Sequence, residues 1–422
     1  MNQNFFINNR IRLGKLMKDN SLAVFFSGRK IQKSADQDFP FEVDKNFYYL
    51  TGLNQANIVL TLFKKQNDLK ATLYIEENDP ILVKWVGMKY TKEEAALISG
   101  VNQVVYANLF DNHLFAYFNN SRYQSDCVRH VYLNLERSSL PGYTNQALEF
   151  ANLTMTAKYP EVTVINAYEM MVGLRMIKSE EEIALVKSSL KTTKKGIESL
   201  MSHAQAGLYE YQLEAYFDWQ VKCDGNRDLA FKTIAASGKN ATILHYEDNN
   251  SLLKNDNLVL FDLGARTEFY VSDITRVFPV SGKFTARQKA VYDAVLDVNK
   301  RCIAYLKPGL SWAEFNKFAK DLLTQHAYEL GLIKEDQEIS KYYYHSIGHS
   351  LGLDTHDPTL YDWGIKEGMI ITVEPGLYIE EEGIGVRIED NVLITDEGCE
   401  NLSSEIIKET ADIESFMATY KK

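Results

Sequence analysis

From residue 179 onward the chain runs through one order of elements twice, and this recurrence limits the fold more than any other feature. Ser179 and Glu182 form a capping box ahead of Ile183, Val186, Leu190, Ile197 and Met201, which recur at helical spacing. A second helix is expected over about 209–222, then a polar loop at 238–250 and strands at 258–263 and 269–280, with G-A-R-T-E between them as a hairpin turn. The order then begins again. Thr285 and Gln288 open a helix to about 306, Pro308-Gly309 breaks the chain, and Ser311 with Glu314 caps a further helix to about 330. Strands at 370–379 and 384–394, joined through E-E-G, complete the second round. The two rounds share an order of elements but no evident identity. The simplest geometry for them is a pseudo-two-fold domain with two facing hairpins and a cleft between.

The preceding residues read differently. Strands at 22–26, 58–63, 71–75, 104–106, 131–133 and 162–165 alternate with helices at 5–18, 92–99 and 145–158, which predicts a smaller mixed α/β domain. The stretch 32–52 fits neither period and reads as a loop feeding a strand. A boundary near Met171 to Lys178 divides 1–172 from 173–422, an α+β chain of two domains, as its 422 residues favour. A net charge of -11 without a polybasic block excludes nucleic acid as an expected partner. The four cysteines are far apart with no C-x-x-C pair, which suits a reducing cytoplasm. Neither a signal peptide nor a membrane span is expected from the N-terminus or the hydropathy.

The chemistry concentrates in Y-Y-Y-H-S-I-G-H-S-L-G-L-D-T-H-D, residues 342–357, where three of the chain's eight histidines fall: His345, His349 and His356. Four acids stand among apolar neighbours in the expected strands: Asp262, Asp273, Glu374 and Glu389. A buried carboxylate must be paired, hydrogen-bonded or metal-bound. Partial exposure or a partner such as Arg276 or Arg387 would account for any one of them. Together they offer one acid from each strand of each hairpin. With His349 they make a donor set too oxygen-rich for structural zinc and too negative for a single ion. Two divalent cations would neutralise it, activate a bridging water to hydroxide and polarise a carbonyl, which is hydrolytic chemistry.

The ordered set Asp262, Asp273, His349, Glu374, Glu389 resembles the metal set of the pita-bread (creatinase/aminopeptidase-like) metallopeptidases. The phrases S-D-I-T-R-V-F-P-V-S-G-K-F, V-E-P-G-L-Y, G-V-R-I-E-D-N and, near the N-terminus, D-F-P-F-E-V-D-K-N-F-Y-Y-L-T-G resemble the Xaa-Pro aminopeptidase (aminopeptidase P) branch. The resemblance implies that Asp273 and Glu389 bridge two metals, Asp262 holds one, and His349 and Glu374 complete the other. It makes Glu374 the proton shuttle, His356 and His245 groups that meet the scissile carbonyl or the substrate, and His345 a lining of the proline pocket or a support behind the ligands. Arg387 would orient the ligands or bind a substrate carboxylate; Trp85, Tyr378 and Tyr343 would wall the pocket. The metal expected first is Mn2+, with Co2+, Fe2+ or Zn2+ compatible, and the substrates proline-containing peptides. A homo-dimer or homo-tetramer is implied as well. The nearest alternative is an Xaa-Pro dipeptidase (prolidase); a non-catalytic peptide-binding member or a metal-free creatinase-like hydrolase lies further off. The chain departs from the pattern at Lys33, where Arg is usual, and at Glu42-Val43, in place of Arg-Gln.

Overall fold

A computed structural model describes residues 1–119, 127–137, 145–334 and 336–420, and it divides into two compact units, Met1–Leu174 and Arg175–Lys422, the division falling within the helix Tyr168–Met176. Among the described residues no helix is long and apolar enough to cross a membrane.

The first unit is built on a six-stranded sheet in the order Gln103–Tyr106, Asp68–Ile75, Val59–Lys65, Ser21–Phe26, His130–Leu133, Thr163–Asn166. The three central strands pair antiparallel, and the outer ones add parallel. Ser21–Phe26 is buried along its whole length, as its unbroken L-A-V-F-F run requires. The stretch 32–52 is not a loop feeding a strand. It contains a short antiparallel pair, Gln32–Ser34 with Gln37–Asp38, and then the helix Lys45–Thr51. Asp44 caps this helix by accepting from the Phe47 amide, and Gly52 ends it at φ 70°. The aromatic run Phe47, Tyr48, Tyr49 reads as strand by propensity, yet the cap and the burial of Asn46 to Thr51 make it helix.

The second unit repeats two helices and a three-stranded sheet. The first half has the helices Glu180–His203 and Glu210–Cys223 and a sheet ordered Ile274–Pro279, Leu258–Leu263, Ile234–Ser237, the last strand absent from the sequence expectation. The second half has the helices Ala286–Tyr305 and Trp312–Glu329 and a sheet ordered Ile370–Val373, Asp390–Ile394, Cys399–Asn401. Capping boxes at Ser179, Thr285 and Ser311 start three of these helices, each with its N3 Glu or Gln reaching back.

The expected long strands are interrupted. The stretch 269–280 becomes Tyr270–Val271 and Ile274–Pro279; 370–379 becomes Ile370–Val373 and Gly376–Ile379; 384–394 becomes Ile384–Arg387 and Asp390–Ile394. The gaps hold Asp273, Glu374 and Glu389. Register is nonetheless kept across the last two. Val373 stands opposite Asp390 and Gly376 opposite Arg387, so the same ladder carried through the gap sets Glu374 opposite Glu389 and Pro375 opposite Ile388.

Candidate metal and active site

Three features of local structure bring the acids together. Asp262 lies within Leu258–Leu263, directly across from Thr275, and Asp273 sits two residues from Thr275 on the same face. Glu374 and Glu389 face each other across the gap in the second hairpin, where like charges repel unless something compensates them. His349 is carried on a non-helical segment that runs along Ile370–Val373. The amides of Leu351, Thr372 and Glu374 donate to the carbonyls of Ile370, His349 and Ile347, each at 2.9 Å. Gly348 allows this approach, because a Cβ there would lie 2.1 Å from the Thr372 carbonyl oxygen.

The result is a buried acidic cluster. Asp273 is 4% exposed and Glu389 2%. Ligand atoms of Asp273, His349 and Glu389 all lie within 4.8 Å of one another, and His349 Nε2 is 3.4 Å from Asp273 Oδ2 and 3.6 Å from Glu374 Oε1. His349 Nδ1 is 3.0 Å from the Ser350 carbonyl, which can only accept, so Nδ1 donates there and Nε2 is the nitrogen turned toward the acids. Burial, and then the neighbouring carboxylates, push the Asp273 and Glu389 carboxyls well above the ordinary range, and burial raises Glu374. Asp262 Oδ1 and Asp273 Oδ1 are buried without a hydrogen-bond partner. Orphaned, mutually repelling oxygens beside an imidazole nitrogen turned toward them are what divalent cations would satisfy, so the residues fit such ions.

A polar shell fixes these groups. Arg387, 4% exposed, donates from Nη2 to Asp262 Oδ2 at 2.6 Å, from Nη1 to the Tyr378 hydroxyl at 3.2 Å and from Nε to Thr275 Oγ1 at 3.0 Å. The Thr275 hydroxyl then donates to Glu389 Oε2 at 2.7 Å. Tyr378 donates to His345 Nε2 at 2.8 Å, and His345 Nδ1 lies 3.8 Å from Glu374 Oε2. His345 is therefore behind the ligands in a loop, with Tyr378 buried beside it. Tyr343 is 6% exposed, packs edge-on to His345, and has no partner for its buried hydroxyl. The His356 and His349 rings are 4.1 Å apart. Burial lowers His345 and His356 to about 4, helped by Arg387 for His345 and by His349 for His356, with a smaller push from His245 on both, so the two imidazoles are neutral at physiological pH. His245 occupies an exposed turn after Gly238–Thr242. Trp85 belongs to the first unit, on the short helix Val83–Val86, and is 83% exposed.

The sequence did not single out several groups that hold this site. Glu210 is fully buried and receives the Ser237 and Ser251 amides, the Ser237 and Tyr246 hydroxyls and the Asn240 side-chain amide, which pins the loop around His245. Asp357, next to His356, receives Arg175 Nη2 at 2.5 Å and Lys178 Nζ at 3.1 Å. Burial alone would raise the Asp357 carboxyl, but these two cations outweigh it and hold it below the usual range. A depressed carboxylate stabilises the fold above its unfolded value of about 3.9 and loses that contribution as the pH falls below it. Asp357→Asn is expected to lower Tm at neutral pH and to flatten the loss of Tm between about pH 5 and 3 relative to the unsubstituted protein. Thermal unfolding by circular dichroism across that range checks it; parallel acid limbs would contradict the assignment.

The sequence model of metallopeptidase family M24 matches residues 184–396, and that of the aminopeptidase P N-terminal domain matches residues 6–124. Xaa-Pro aminopeptidase of Haemophilus influenzae is 33% identical over 98% of this chain and 96% of its own length. A solved structure from Bacillus anthracis is 44% identical, with a TM-score of 0.96 over 100% of this chain and 99% of that one. Zinc-substituted aminopeptidase P of Escherichia coli, in complex with product, is 29% identical with a TM-score of 0.91 over 100% and 99%. The pita-bread architecture with a preceding α/β domain, expected from the sequence, is the fold observed.

Proposed function

The chain belongs to metallopeptidase family M24, in its aminopeptidase P branch, and from that premise we propose that it hydrolyses the N-terminal Xaa-Pro bond of peptides with two divalent cations, Mn2+ foremost. The observation that carries this reading is the cluster of Asp273, His349 and Glu389 ligand atoms, with Glu374 Oε1 3.6 Å from His349 Nε2 and the Oδ1 atoms of Asp262 and Asp273 left unpartnered. Residues 1–172 form the N-terminal domain in this reading and 173–422 the catalytic one. Relatives named Xaa-Pro aminopeptidase, and a relative that holds its product with zinc in place, support it and leave Co2+, Fe2+ and Zn2+ open as substitutes.

Bound cations supply Lewis-acid activation of water and of the scissile carbonyl. The protein's side chains do the rest. Glu374, raised by burial and held near His349, takes a proton from the attacking water and returns it to the prolyl nitrogen as the bond breaks. Neutral His356 can donate a hydrogen bond to the carbonyl oxygen as charge develops on it, without adding positive charge to the metal set, and His245 can reach the substrate from the opposite half. Arg387 spends its donors on Asp262, Tyr378 and Thr275, which makes it a positioning group for the acids. The prolyl nitrogen carries no N–H in the substrate, and proline restricts the residue before it, so a dedicated enzyme is needed where general peptidases fail.

The test is cleavage of Xaa-Pro-Xaa tripeptides against Xaa-Pro dipeptides after chelation and Mn2+ addition. Chelator is expected to abolish activity, Mn2+ to restore it, and tripeptides to be cleaved. Cleavage confined to dipeptides would instead assign a prolidase, and full activity after chelation would remove the metal reading.

A further inference from the structure

Asn299 lies on the helix Ala286–Tyr305, is fully buried, and uses every hydrogen-bonding group of its amide. Nδ2 donates to the carbonyls of Val373 at 3.1 Å and Ile388 at 3.2 Å, while Oδ1 accepts from Lys408 Nζ at 2.7 Å. The two carbonyls belong to the peptide units that lead directly into Glu374 and Glu389. The register explains why a side chain is needed here. Ile388 stands opposite Pro375, and its amide donates to the Pro375 carbonyl at 3.2 Å, but proline has no N–H to return the bond. The Ile388 carbonyl therefore lacks its ladder donor from that position. Asn299 supplies one, and with its second N–H reaches across the hairpin to Val373.

We propose that Asn299 is a positioning residue that sets the separation of the two glutamates and thereby the affinity of the site for its second cation. This rests on the assignment of Glu374 and Glu389 as ligands. The chemistry of the position is narrow. It requires two donors and one acceptor in a dry environment, which an amide provides. A carboxylate would place negative charge against two carbonyl oxygens, and an apolar side chain would leave the Ile388 carbonyl without a donor and take one partner each from the Val373 carbonyl and the Lys408 ammonium. Because Lys408 holds the acceptor end, the amide cannot flip, and its two N–H groups stay aimed at the two strands.

The experiment compares Asn299→Ala and Asn299→Ser with the unsubstituted protein by calorimetric titration of the metal-free chain with Mn2+ and by electron paramagnetic resonance. Ser keeps one donor, so its effect should be the smaller. Both variants are expected to keep their far-ultraviolet dichroism and the tighter ion. The weaker ion's Kd should rise by about tenfold to a hundredfold, as for other groups that support metal ligands. The spin-coupled Mn2+ pair signal should give way to an isolated-ion signal at equal metal, with kcat recovering at saturating Mn2+ and KM little changed. An Asn299→Ser protein that fails to fold, or that folds and binds both ions as the unsubstituted chain does, overturns the proposal. Glu389→Ala in the same titration separates the two readings. If it too binds both ions unchanged, the ligand assignment falls; if it loses an ion while Asn299→Ser does not, only the role of Asn299 falls.

Discussion

Glu389→Ala is expected to lower kcat/KM toward an Xaa-Pro-Xaa tripeptide by at least about a thousandfold, equivalent to about 4 kcal/mol of transition-state stabilisation. Glu389 is 2% exposed, one oxygen is held by the Thr275 hydroxyl at 2.7 Å, and its backbone carbonyl is held by Arg276 Nη1 at 2.6 Å. The carboxylate is thus aimed before any ion arrives, and no neighbouring acid can take its place without moving a strand. Asp273→Ala is expected to behave alike, since Asp273 is anchored by reciprocal bonds between its backbone and the Asn391 side chain. The effect on folding should be opposite in character to the effect on turnover. Burial and like charge raise Glu389 well above its ordinary range, so removing it relieves repulsion in the metal-free chain. The metal-free variant should therefore melt within a few degrees of the metal-free parent, while the rise in Tm produced by Mn2+ shrinks. Near-normal turnover, or an unchanged two-ion titration, would show that Glu389 is not a bridging ligand.

Much of this architecture is legible in the sequence because helix caps are local. Ser179 with Glu182, Thr285 with Gln288 and Ser311 with Glu314 mark helix starts that the structure repeats at the same residues. The acids were conspicuous for a related reason, since charge within apolar strand sequence needs an explanation. What could not be read was the interruption of the strands at Asp273, Glu374 and Glu389, because alternation of side chains looks the same whether or not the ladder is closed. Asn299 was silent too: one amide in a helix is unremarkable until the two carbonyls it joins are placed, and they lie far off in the sequence. The helix Lys45–Thr51 was missed because three aromatics outweighed the cap at Asp44 and the glycine at 52.

Arg276→Met is expected to give the largest loss of stability among single substitutions around the site, about 3–5 kcal/mol, or a fall in Tm of roughly 10 °C for a unit of this size. Arg276 is 0% exposed, and all of its donors are engaged. Nε reaches the Ile407 carbonyl at 3.1 Å, Nη1 the carbonyls of Thr275 at 3.0 Å and Glu389 at 2.6 Å, and Nη2 the Ile406 carbonyl at 3.2 Å and Asp390 Oδ1 at 2.8 Å. Methionine fills much of the volume but donates nothing, so four carbonyls lose a partner and Asp390, itself 0% exposed, keeps only Lys408 and Ser403. The penalty comes from the stranded anion more than from the lost attraction, and that distinction can be measured. Asp390→Asn in the same chain removes the anion, so the double variant should lose less than the sum of the two singles. Simple additivity would mean that the pair is not coupled and that packing alone sets the loss. Function should follow stability through Glu389, whose carbonyl Arg276 holds. The Mn2+-induced rise in Tm is expected to be smaller in Arg276→Met than in the parent, which a loss of packing remote from the ligands would not produce.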